Sequence, residues 1–512
     1  MNRREVLKLS GGAVCGLAQA AIASGIGAGS PAAAESSGDR VERWGVFEAS
    51  FQGPAEGNPF LDVQLRAIFQ FQNRTVPVSG FYDGAGVYRV RFMPDEPGEW
   101  SFRTESNSAA LNGKTGRLQV TAPSARNHGP VGVNYGRHFA YADGTPYAPF
   151  GTTCYAWAHQ GDELEEETLK TLSAAPFNKM RMCIFPKSYD YNHNEPPLYP
   201  FPRDAAGAND TSTFNVKFFE HLEQRIQDLN RLGIEADLIL FHPYDRWGYA
   251  SLPPEVNDRY LRYVIARFAA CRNVWWSLAN EYDFVKSKSA SDWDRFARLI
   301  QEEDPYHHLR SIHYGHVVYD YSRAWATHAC VQSYDFAKAR QWLDEWNKPI
   351  IYDECQYEGN LPNRWGNLSA EEMTRRFWMA IVVGCYAGHG ETYLDPKDVI
   401  WWSKGGVLHG GSPARIGFLR RLVEESAPGG FQAAEDAYSL CTTAGGNVLL
   451  YYFDYHQPGE YQFKLPAGSS YRAELIDPWE MTTSPVEGAQ QGSVKLKLTG
   501  KPYQAVRFRR NN

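Results

Sequence analysis

The sequence predicts an α/β protein in which a central (β/α)8 TIM barrel is flanked by an N-terminal immunoglobulin-like β-sandwich and a small C-terminal β-sandwich. Three observations indicate this fold class. Eight apolar, strand-like runs alternate with amphipathic helical stretches in the middle of the chain. Short alternating strands separated by turn residues precede that region and return after it. Two of the apolar runs, 273–281 and 348–354, end on a glutamate, as strands that deliver side chains to a barrel mouth do.

The first 34 residues have the features of an export signal. Arg3 and Arg4 precede a mildly apolar segment, 9–26, and the alanines 32–34 offer a small-residue cleavage site. Paired arginines are typical of the twin-arginine export pathway of bacteria, so we expect a periplasmic or secreted protein. No later segment approaches the roughly 20 apolar residues that a membrane span requires.

The remaining chain divides into three predicted domains. Residues 41–123 are expected to form the N-terminal sandwich, because runs 60–69 and 86–92 alternate with period two and Asp83-Gly84 marks a turn. The barrel is predicted over 124–425, with amphipathic helices such as 218–232, which Gly233 closes. Its eight candidate strands are 147–157, 177–186, 234–244, 273–281, 310–315, 330–336, 349–354 and 383–393. The C-terminal sandwich is expected over 426–512.

Composition narrows the class of ligand. The formal net charge of −7 argues against a nucleic-acid partner, which would require a basic surface. The chain is 14% aromatic, with 15 Trp and 30 Tyr, and such rings form platforms on which sugars stack as well as cores. A carbohydrate substrate therefore fits best.

The cysteines do not indicate a metal or redox site. Cys15 lies in the predicted signal, which leaves seven of the eight cysteines, an odd number that cannot all pair within the chain. Five of them lie in or beside apolar runs, where free cysteine behaves as a small hydrophobic residue: Cys154, Cys183, Cys330, Cys355 and Cys385. No C-x-x-C pair occurs in the sequence, so we expect no metal and no cofactor.

The two glutamates are the strongest candidates for chemistry. Glu281 ends the fourth predicted strand and Glu354 ends the seventh, so both should lie at the C-terminal mouth of the barrel. If their carboxyl groups are about 5 to 5.5 Å apart, one can attack the anomeric carbon while the other protonates the leaving oxygen, which is retaining glycoside hydrolysis. Glu281 lies among Trp275, Trp276 and Tyr282, which favours it as the acid/base because desolvation keeps a carboxyl protonated.

These residues also carry a family resemblance. The pair Asn280-Glu281 on strand four, with Glu354 on strand seven, resembles clan A of the retaining glycoside hydrolases. The resemblance implies that Glu281 is the acid/base, that Glu354 is the nucleophile and that Asn280 donates to the 2-hydroxyl of the substrate. Arg181 on strand two resembles the arginine near the nucleophile in that clan, and Tyr334 on strand six resembles its tyrosine.

A narrower resemblance covers nearly the whole chain after the signal. Segments 80–84 (GFYDG), 91–100 (RFMPDEPGEW) and 242–248 (HPYDRWG) are similar to those of a bacterial group of glycosidase-like proteins. Members of that group join an N-terminal sandwich, an apiosidase-like (DUF4038-type) barrel and a small C-terminal β domain. Strand six reads VQSYD here and lacks the histidine that some clan A families place before the tyrosine, which leaves the role of Tyr334 open.

Further candidates follow from their position at the ends of the predicted strands. Polar groups there would hydrogen-bond sugar hydroxyls, and aromatic rings would form the floor or walls of the −1 subsite, although core packing is an equal alternative for the tryptophan pair 401–402. The polar candidates are His242, Tyr244, Asp245, His313, His316, His389 and Glu391, and the aromatic candidates are Tyr155, Trp157, Trp247, Trp401 and Trp402.

The long connection after strand two bears on the mode of action. The loop 187–215 contains four prolines and is far longer than a usual connection. It leaves strand two on the catalytic face, where long loops shape binding sites. We expect it to wall one end of the cleft and to favour the release of sugars from chain ends of a plant or bacterial polysaccharide or oligosaccharide.

Three alternatives remain open from the sequence. An endo-acting glycanase could use the same fold. A non-catalytic glycan-binding protein would also suit two sandwiches and many aromatics, although it would have no need of both glutamates. A metal-dependent hydrolase usually has His-x-His on strand one, where this chain reads GTTCYAW, although His313, His316 and His328 lie on or near strands five and six.

Overall fold

The computed structural model describes residues 40–511 except 135 and 437. The predicted signal peptide, 1–34, lies outside the described residues. Within the described chain, none of the helices combines the length and the apolar character that crossing a bilayer requires. All seven cysteines of this part of the chain are buried and free.

A nearly closed barrel of eight parallel strands forms the centre, which confirms the predicted fold class. In chain order the barrel strands are Phe150–Thr153, Lys179–Cys183, Glu235–Phe241, Val274–Ala279, Arg310–Ser311, Ala329–Gln332, Ile350–Glu354 and Tyr386–His389. Each strand pairs with its neighbours, and a single bridge between His313 and Cys330 joins strands five and six to complete the ring. Almost every residue of these strands is buried, because the barrel interior covers one face and the helices cover the other.

Helices surround the barrel on the outside. The helices of eight residues or more are Asp162–Ala174, Val216–Leu232, Pro254–Phe268, Ala290–Glu303, Ala339–Trp346, Ala370–Val382 and Ser412–Ser426. Their ends follow local sequence signals. Val216–Leu232 ends at Gly233, whose φ of 71° is left-handed, and Ala290–Glu303 begins with a capping box between Ser289 and Asp292. Two four-residue helices, Pro59–Asp62 and Trp401–Lys404, complete the set of α-helices in the described residues.

The N-terminal domain consists of two antiparallel-rich sheets that face each other. One contains Arg40–Glu42, Thr115–Thr121, Gly98–Ser106, Leu65–Phe71 and Arg74–Ser79, and the other contains Phe47–Gln52, Val87–Phe92 and Phe81–Tyr82. Alternate residues of Leu65–Phe71 point inward, where the rings of Phe69 and Phe92 stack with their centroids 4.0 Å apart.

Three short antiparallel strands, Val131–Asn134, His138–Tyr141 and Pro146–Tyr147, lead into the barrel. Phe139 of this unit packs against Trp275 and Tyr386 of barrel strands four and eight, with ring centroids 5.4 and 5.6 Å away. These contacts lie toward the N-terminal ends of the strands. This unit therefore covers the end of the barrel opposite the C-terminal mouth.

The chain ends in a second β domain. A six-stranded sheet contains Gln432–Ala434, Ser439–Thr442, Val448–Tyr452, Ala505–Arg510, Tyr471–Asp477 and Thr482–Pro485, and a two-stranded sheet contains Glu460–Lys464 and Ser493–Lys497. Beyond barrel strands seven and eight, the short parallel pair Glu358–Gly359 and Glu391–Thr392 extends the barrel wall on its C-terminal side.

Candidate active site

Strands four and seven place two glutamates at the C-terminal mouth of the barrel. Glu354 is the last residue of strand seven, and Glu281 follows strand four by two residues. The backbone at Glu281 is left-handed, with φ of 48° and ψ of 59°, which is uncommon for a residue with a side chain. The amide of Tyr282 donates to the carbonyl of His313 at 2.9 Å, so strand five holds this turn in place.

Glu354 is surrounded by groups that favour its ionised form. The hydroxyl of Tyr155 donates to Oε1 of Glu354, Nε2 of His313 lies 3.4 Å from that oxygen, and a guanidinium nitrogen of Arg181 lies 3.6 Å from it. Burial by itself raises the pKa of Glu354, but His313, Arg181 and Tyr155 together outweigh burial and lower the pKa to about 2. Glu354 is therefore a carboxylate at neutral pH.

Glu281 has the opposite electrostatic environment. It is 7% exposed, and burial together with the negative charge of Glu354 raises its pKa, although the hydroxyl of Tyr244 donates to Oε2. The side-chain nitrogen of Asn280 lies 3.3 Å from the same oxygen. The Gln332 amide reaches Oε1 at 3.2 Å when its nitrogen faces the glutamate. Two coupled carboxyl groups with opposite pKa shifts provide one base and one acid in the same site.

Asn280 and Arg181 connect the two glutamates through one hydrogen-bond network. Arg181 donates to the side-chain oxygen of Asn280 at 3.2 Å, and the hydroxyl of Tyr155 lies 3.3 Å from that oxygen. With its oxygen occupied in this way, Asn280 presents its nitrogen toward the site. Six of the sequence-predicted residues are thus linked in one network, namely Glu281, Glu354, Asn280, Arg181, Tyr155 and His313.

A layer of buried charges lies below this network. The ammonium of Lys179 on strand two lies 2.6 Å from Asp237 on strand three and 2.8 Å from Asp353 on strand seven. Asp237 also lies 3.6 Å from Arg181. These ion pairs neutralise each other inside the barrel and hold Arg181 beneath the glutamates.

Tyr244, predicted at the end of strand three, contacts Glu281. Two residues at the site were not among the sequence-predicted site residues: Gln332 ends strand six and contacts His313 at 3.0 Å, and Lys187 lies in the loop after strand two. Its position at the end of an apolar run could have identified Gln332. For Lys187 no such signal exists, because its side chain reaches the site only through the course of a loop.

The structure places three predicted aromatic or polar residues inside the barrel wall instead of the mouth. The indole nitrogen of Trp157 donates to the carbonyl of Glu165 at 3.1 Å, and that of Trp401 donates to Thr152 at 2.9 Å. His389 also contacts Thr152, at 3.1 Å, and stacks on a phenylalanine. Neighbouring residues at a strand or helix end point in different directions, so Trp402 reaches the mouth whereas Trp401 does not.

Three other predicted residues build the loops around the mouth. His242 donates to the carbonyl of Phe185 at 3.0 Å, and burial lowers its pKa to about 3, so it is neutral. Asp245 accepts hydrogen bonds from three backbone amides of its own loop, at residues 247, 248 and 250. Trp247 donates to Glu195 at 2.9 Å, which joins the loops that follow strands two and three.

Tyr334 does not reach the two glutamates. Its side chain is 52% exposed, and its ring lies beside the guanidinium of Arg376, 5.1 Å away. Strand six ends at Gln332 after a shift of register between Cys330 and Gln332, which leaves Tyr334 beyond the strand. In the described residues, a tyrosine that donates to Glu354 is Tyr155, two residues after the first barrel strand.

Two groups in the described chain have the spacing that a metal ion requires, namely Glu358, His389 and Glu391, and Asp162, Glu165 and His221. Neither group includes Glu281 or Glu354. The four successive amides of residues 409–412, at the start of helix Ser412–Ser426, donate to Glu391 and Glu358. These two carboxylates therefore cap a helix N-terminus.

Comparisons with known proteins agree with this architecture. A family model described as "Apiosidase-like, catalytic domain" matches residues 134–406, more than half of the chain. Two models of domains of unknown function, DUF5060 and DUF5605, match residues 40–107 and 438–509. No curated protein matches the chain significantly.

Solved structures give the same result. A candidate glycoside hydrolase from Bacteroides vulgatus is 39% identical, with 93% of this chain and 100% of that chain covered and a TM-score of 0.88. A family 5 glycoside hydrolase from Bacteroides vulgatus is 15% identical and shares the fold, with 75% of this chain and 93% of that chain covered and a TM-score of 0.59. These matches confirm the resemblance drawn from segments 80–100 and 242–248. The chain belongs to the apiosidase-like family, in the form that carries a DUF5060 domain before the barrel and a DUF5605 domain after it.

Proposed function

We propose that the protein is a retaining glycoside hydrolase in which Glu354 is the nucleophile and Glu281 is the acid/base. The observation that carries the proposal is the pair of opposite pKa shifts at two glutamates in one barrel mouth. The apiosidase-like family model and the 39% identical candidate glycoside hydrolase support the reaction class.

In the first step, a carboxylate oxygen of Glu354 forms a bond to the anomeric carbon while the bond from that carbon to the leaving oxygen breaks. The proton of Glu281 moves to the leaving oxygen, so the alcohol departs neutral and Glu281 becomes ionised. Loss of the charge on Glu354 in the glycosyl-enzyme removes the repulsion that had raised the pKa of Glu281. Glu281 is then the base that the second step requires.

In the second step, Glu281 takes a proton from water, and the water oxygen attacks the anomeric carbon from the side that the leaving group vacated. Glu354 departs as a carboxylate, which His313, Arg181 and Tyr155 stabilise. The side-chain nitrogen of Asn280 is available to donate to the hydroxyl on the neighbouring sugar carbon, where a hydrogen bond that strengthens in the transition state lowers the barrier.

We propose that the enzyme acts from chain ends. The loop 187–215 is tied to the loop after strand three, because Glu195 accepts from Trp247 at 2.9 Å and from Arg246 at 2.6 Å. Asn209 donates to the carbonyl of Trp247 at 2.7 Å. A loop anchored in this way supports a closed end of the cleft.

On the sequence of residues 1–34, we also propose that the protein is exported to the periplasm or secreted.

Variants of the two glutamates test their roles. We expect Glu354→Ala to lower kcat by at least about 10³-fold and to be rescued by azide with an inverted glycosyl azide, because azide fits where the carboxylate was. Glu281→Ala should keep activity on substrates with very good leaving groups, and azide should give the retained product. The measurements are kcat for each variant, with and without azide, and the anomeric configuration of the product, which NMR determines. Glu345→Ala, on an exposed helix position, is the control. An inverted product from the unmodified enzyme would contradict the retaining mechanism.

The pH dependence tests the electrostatics of Glu354. His313 is the largest of the influences that lower its pKa, so His313→Gln should raise that pKa. Because the free enzyme needs Glu354 ionised, the acidic limb of kcat/KM should move to higher pH by about one unit or more. His456→Gln, exposed in the C-terminal domain, should leave both limbs in place. An unmoved acidic limb in His313→Gln would show that His313 does not stabilise the nucleophile.

The product pattern tests action from chain ends. The closed end should allow only a terminal unit to reach Glu281 and Glu354, so a long oligosaccharide substrate should release one short product from the first minutes while the remaining chain shortens stepwise. Chromatography of the early digest provides the measurement. A random ladder of intermediate lengths at low conversion would instead indicate an endo-acting glycanase.

A further inference from the structure

Lys187 lies in an aromatic cage between the tyrosines that contact the two glutamates. Its ammonium lies 3.7 Å from the ring centroid of Tyr155, 4.6 Å from that of Tyr244 and 4.7 Å from that of Trp402. Tyr155 donates to Glu354 and Tyr244 donates to Glu281. Lys187 therefore belongs to the same small space in which a sugar ring would meet the two carboxyl groups.

The loop that carries Lys187 is held in place on both sides. The side-chain nitrogen of Asn192 donates to the carbonyl of Lys187 at 2.5 Å, and the amide of Ser188 donates to the carbonyl of Tyr244 at 2.9 Å. Lys187 is 4% exposed, so its stem is packed. The ammonium is thus preorganised and does not sample many positions.

This ammonium differs from Lys179 and Arg181 because, within the described residues, it has neither a hydrogen-bond acceptor nor a carboxylate at ion-pair distance, although Glu281 and Glu354 act on it from farther away. Lys179 has Asp237 and Asp353 within 2.8 Å, and Arg181 has Glu354 and Asp237 at 3.6 Å. For Lys187, the described residues offer only ring faces, which attract a cation but do not accept its three N–H groups in the manner of an oxygen. Burial lowers the pKa of Lys187, as expected for a charge whose desolvation is incompletely offset.

We propose that Lys187 binds the carboxylate of an acidic sugar, a uronic acid, in the subsite beside Glu281 and Glu354. The proposal rests on the proposed glycosidase function and names the substrate class for that site. A buried ammonium surrounded by rings pairs more strongly with an anion than with a neutral hydroxyl, because the low dielectric strengthens the attraction between the charges.

Lys187 lowers the pKa of Glu281 from beyond ion-pair distance, but this effect alone does not account for an ammonium held in an aromatic cage. Glu354 already has three closer partners in His313, Arg181 and Tyr155, and Lys187 lies within ion-pair distance of neither glutamate. The chain as a whole carries a formal charge of −7, so an anionic sugar would gain nothing from the general field of the protein. Its binding requires a specific cation, and Lys187 is the cation at this site in the described residues that has no carboxylate partner.

The test compares acidic with neutral sugars. Calorimetric titration of the full-length protein with glucuronate and galacturonate, and with glucose and galactose, should show tighter binding of the acidic sugars. Lys187→Met keeps the apolar stem in the cage and removes the charge, so it should weaken the binding of the uronates about 10- to 100-fold and leave neutral sugars within twofold. Lys187→Arg should retain part of the preference.

A matched control removes the same charge outside the cage. Lys286 is exposed in the loop after strand four, where its ammonium donates to the carbonyl of Asp283. Lys286→Met should bind both classes of sugar as the unmodified protein does. Thermal melting shows whether Lys187→Met folds. If it does not, Lys187→Gln and Lys187→Arg provide the comparison. Lys187→Gln should lose uronate binding and Lys187→Arg should keep part of it.

Hydrolysis gives a second readout that separates this proposal from the proposed function. An oligosaccharide with a terminal uronic acid should have a higher kcat/KM than the same compound after carboxyl reduction, and Lys187→Met should remove that preference through KM. Uronates that bind no better than neutral sugars, or that bind Lys187→Met undiminished, would overturn the assignment of Lys187. Binding of uronates through Lys187 without hydrolysis of any glycoside would overturn the glycosidase proposal and retain this one.

Discussion

The proposed chemistry depends on two carboxyl groups that share one poorly hydrated space and cannot both be charged at low cost. Glu281 and Glu354 influence each other's ionisation, and little of either side chain is exposed, 7% of residue Glu281 and 12% of the Glu354 side chain. The surrounding groups decide which of them keeps the proton. His313, Arg181 and Tyr155 are directed at Glu354, whereas Glu281 has the Tyr244 hydroxyl and neutral amides. In the proposed mechanism, this unequal division makes Glu354 the nucleophile and Glu281 the acid although the two side chains are identical.

The barrel supports these opposite pKa shifts because ion pairs in its interior hold Arg181 in position beside Glu354. Lys179 lies between Asp237 and Asp353, and Arg181 is held above them by Asp237. These side chains come from three strands whose remaining residues are mostly apolar and buried, Glu235 and Glu354 being the other charged residues there. Removing one member would leave an uncompensated charge in the barrel centre, which is strongly unfavourable. The network therefore fixes the position of Arg181, and through it the ionisation of Glu354.

The features that could be predicted from the sequence are those that depend on local pattern. Strands buried on both faces read as continuous apolar runs, so the eight barrel strands and the two terminal glutamates could be located from those runs. Details that depend on tertiary geometry could not be predicted from the sequence. A register shift at Cys330 ends strand six early, so Gln332 and not Tyr334 approaches Glu281. Trp401 and Trp402 are adjacent, yet only Trp402 lies beside Lys187.

The central claim is that Glu354 forms a covalent bond to the sugar. The most direct measurement is mass spectrometry of the peptide that contains Glu354, after reaction with a 2-deoxy-2-fluoro glycoside of whichever sugar the enzyme hydrolyses, since fluorine slows breakdown of the intermediate. We expect one sugar per chain, attached at Glu354 and released as the enzyme recovers activity. A label on Glu281, or steady hydrolysis of the fluoro-sugar through an inverted product without any labelled peptide, would contradict it.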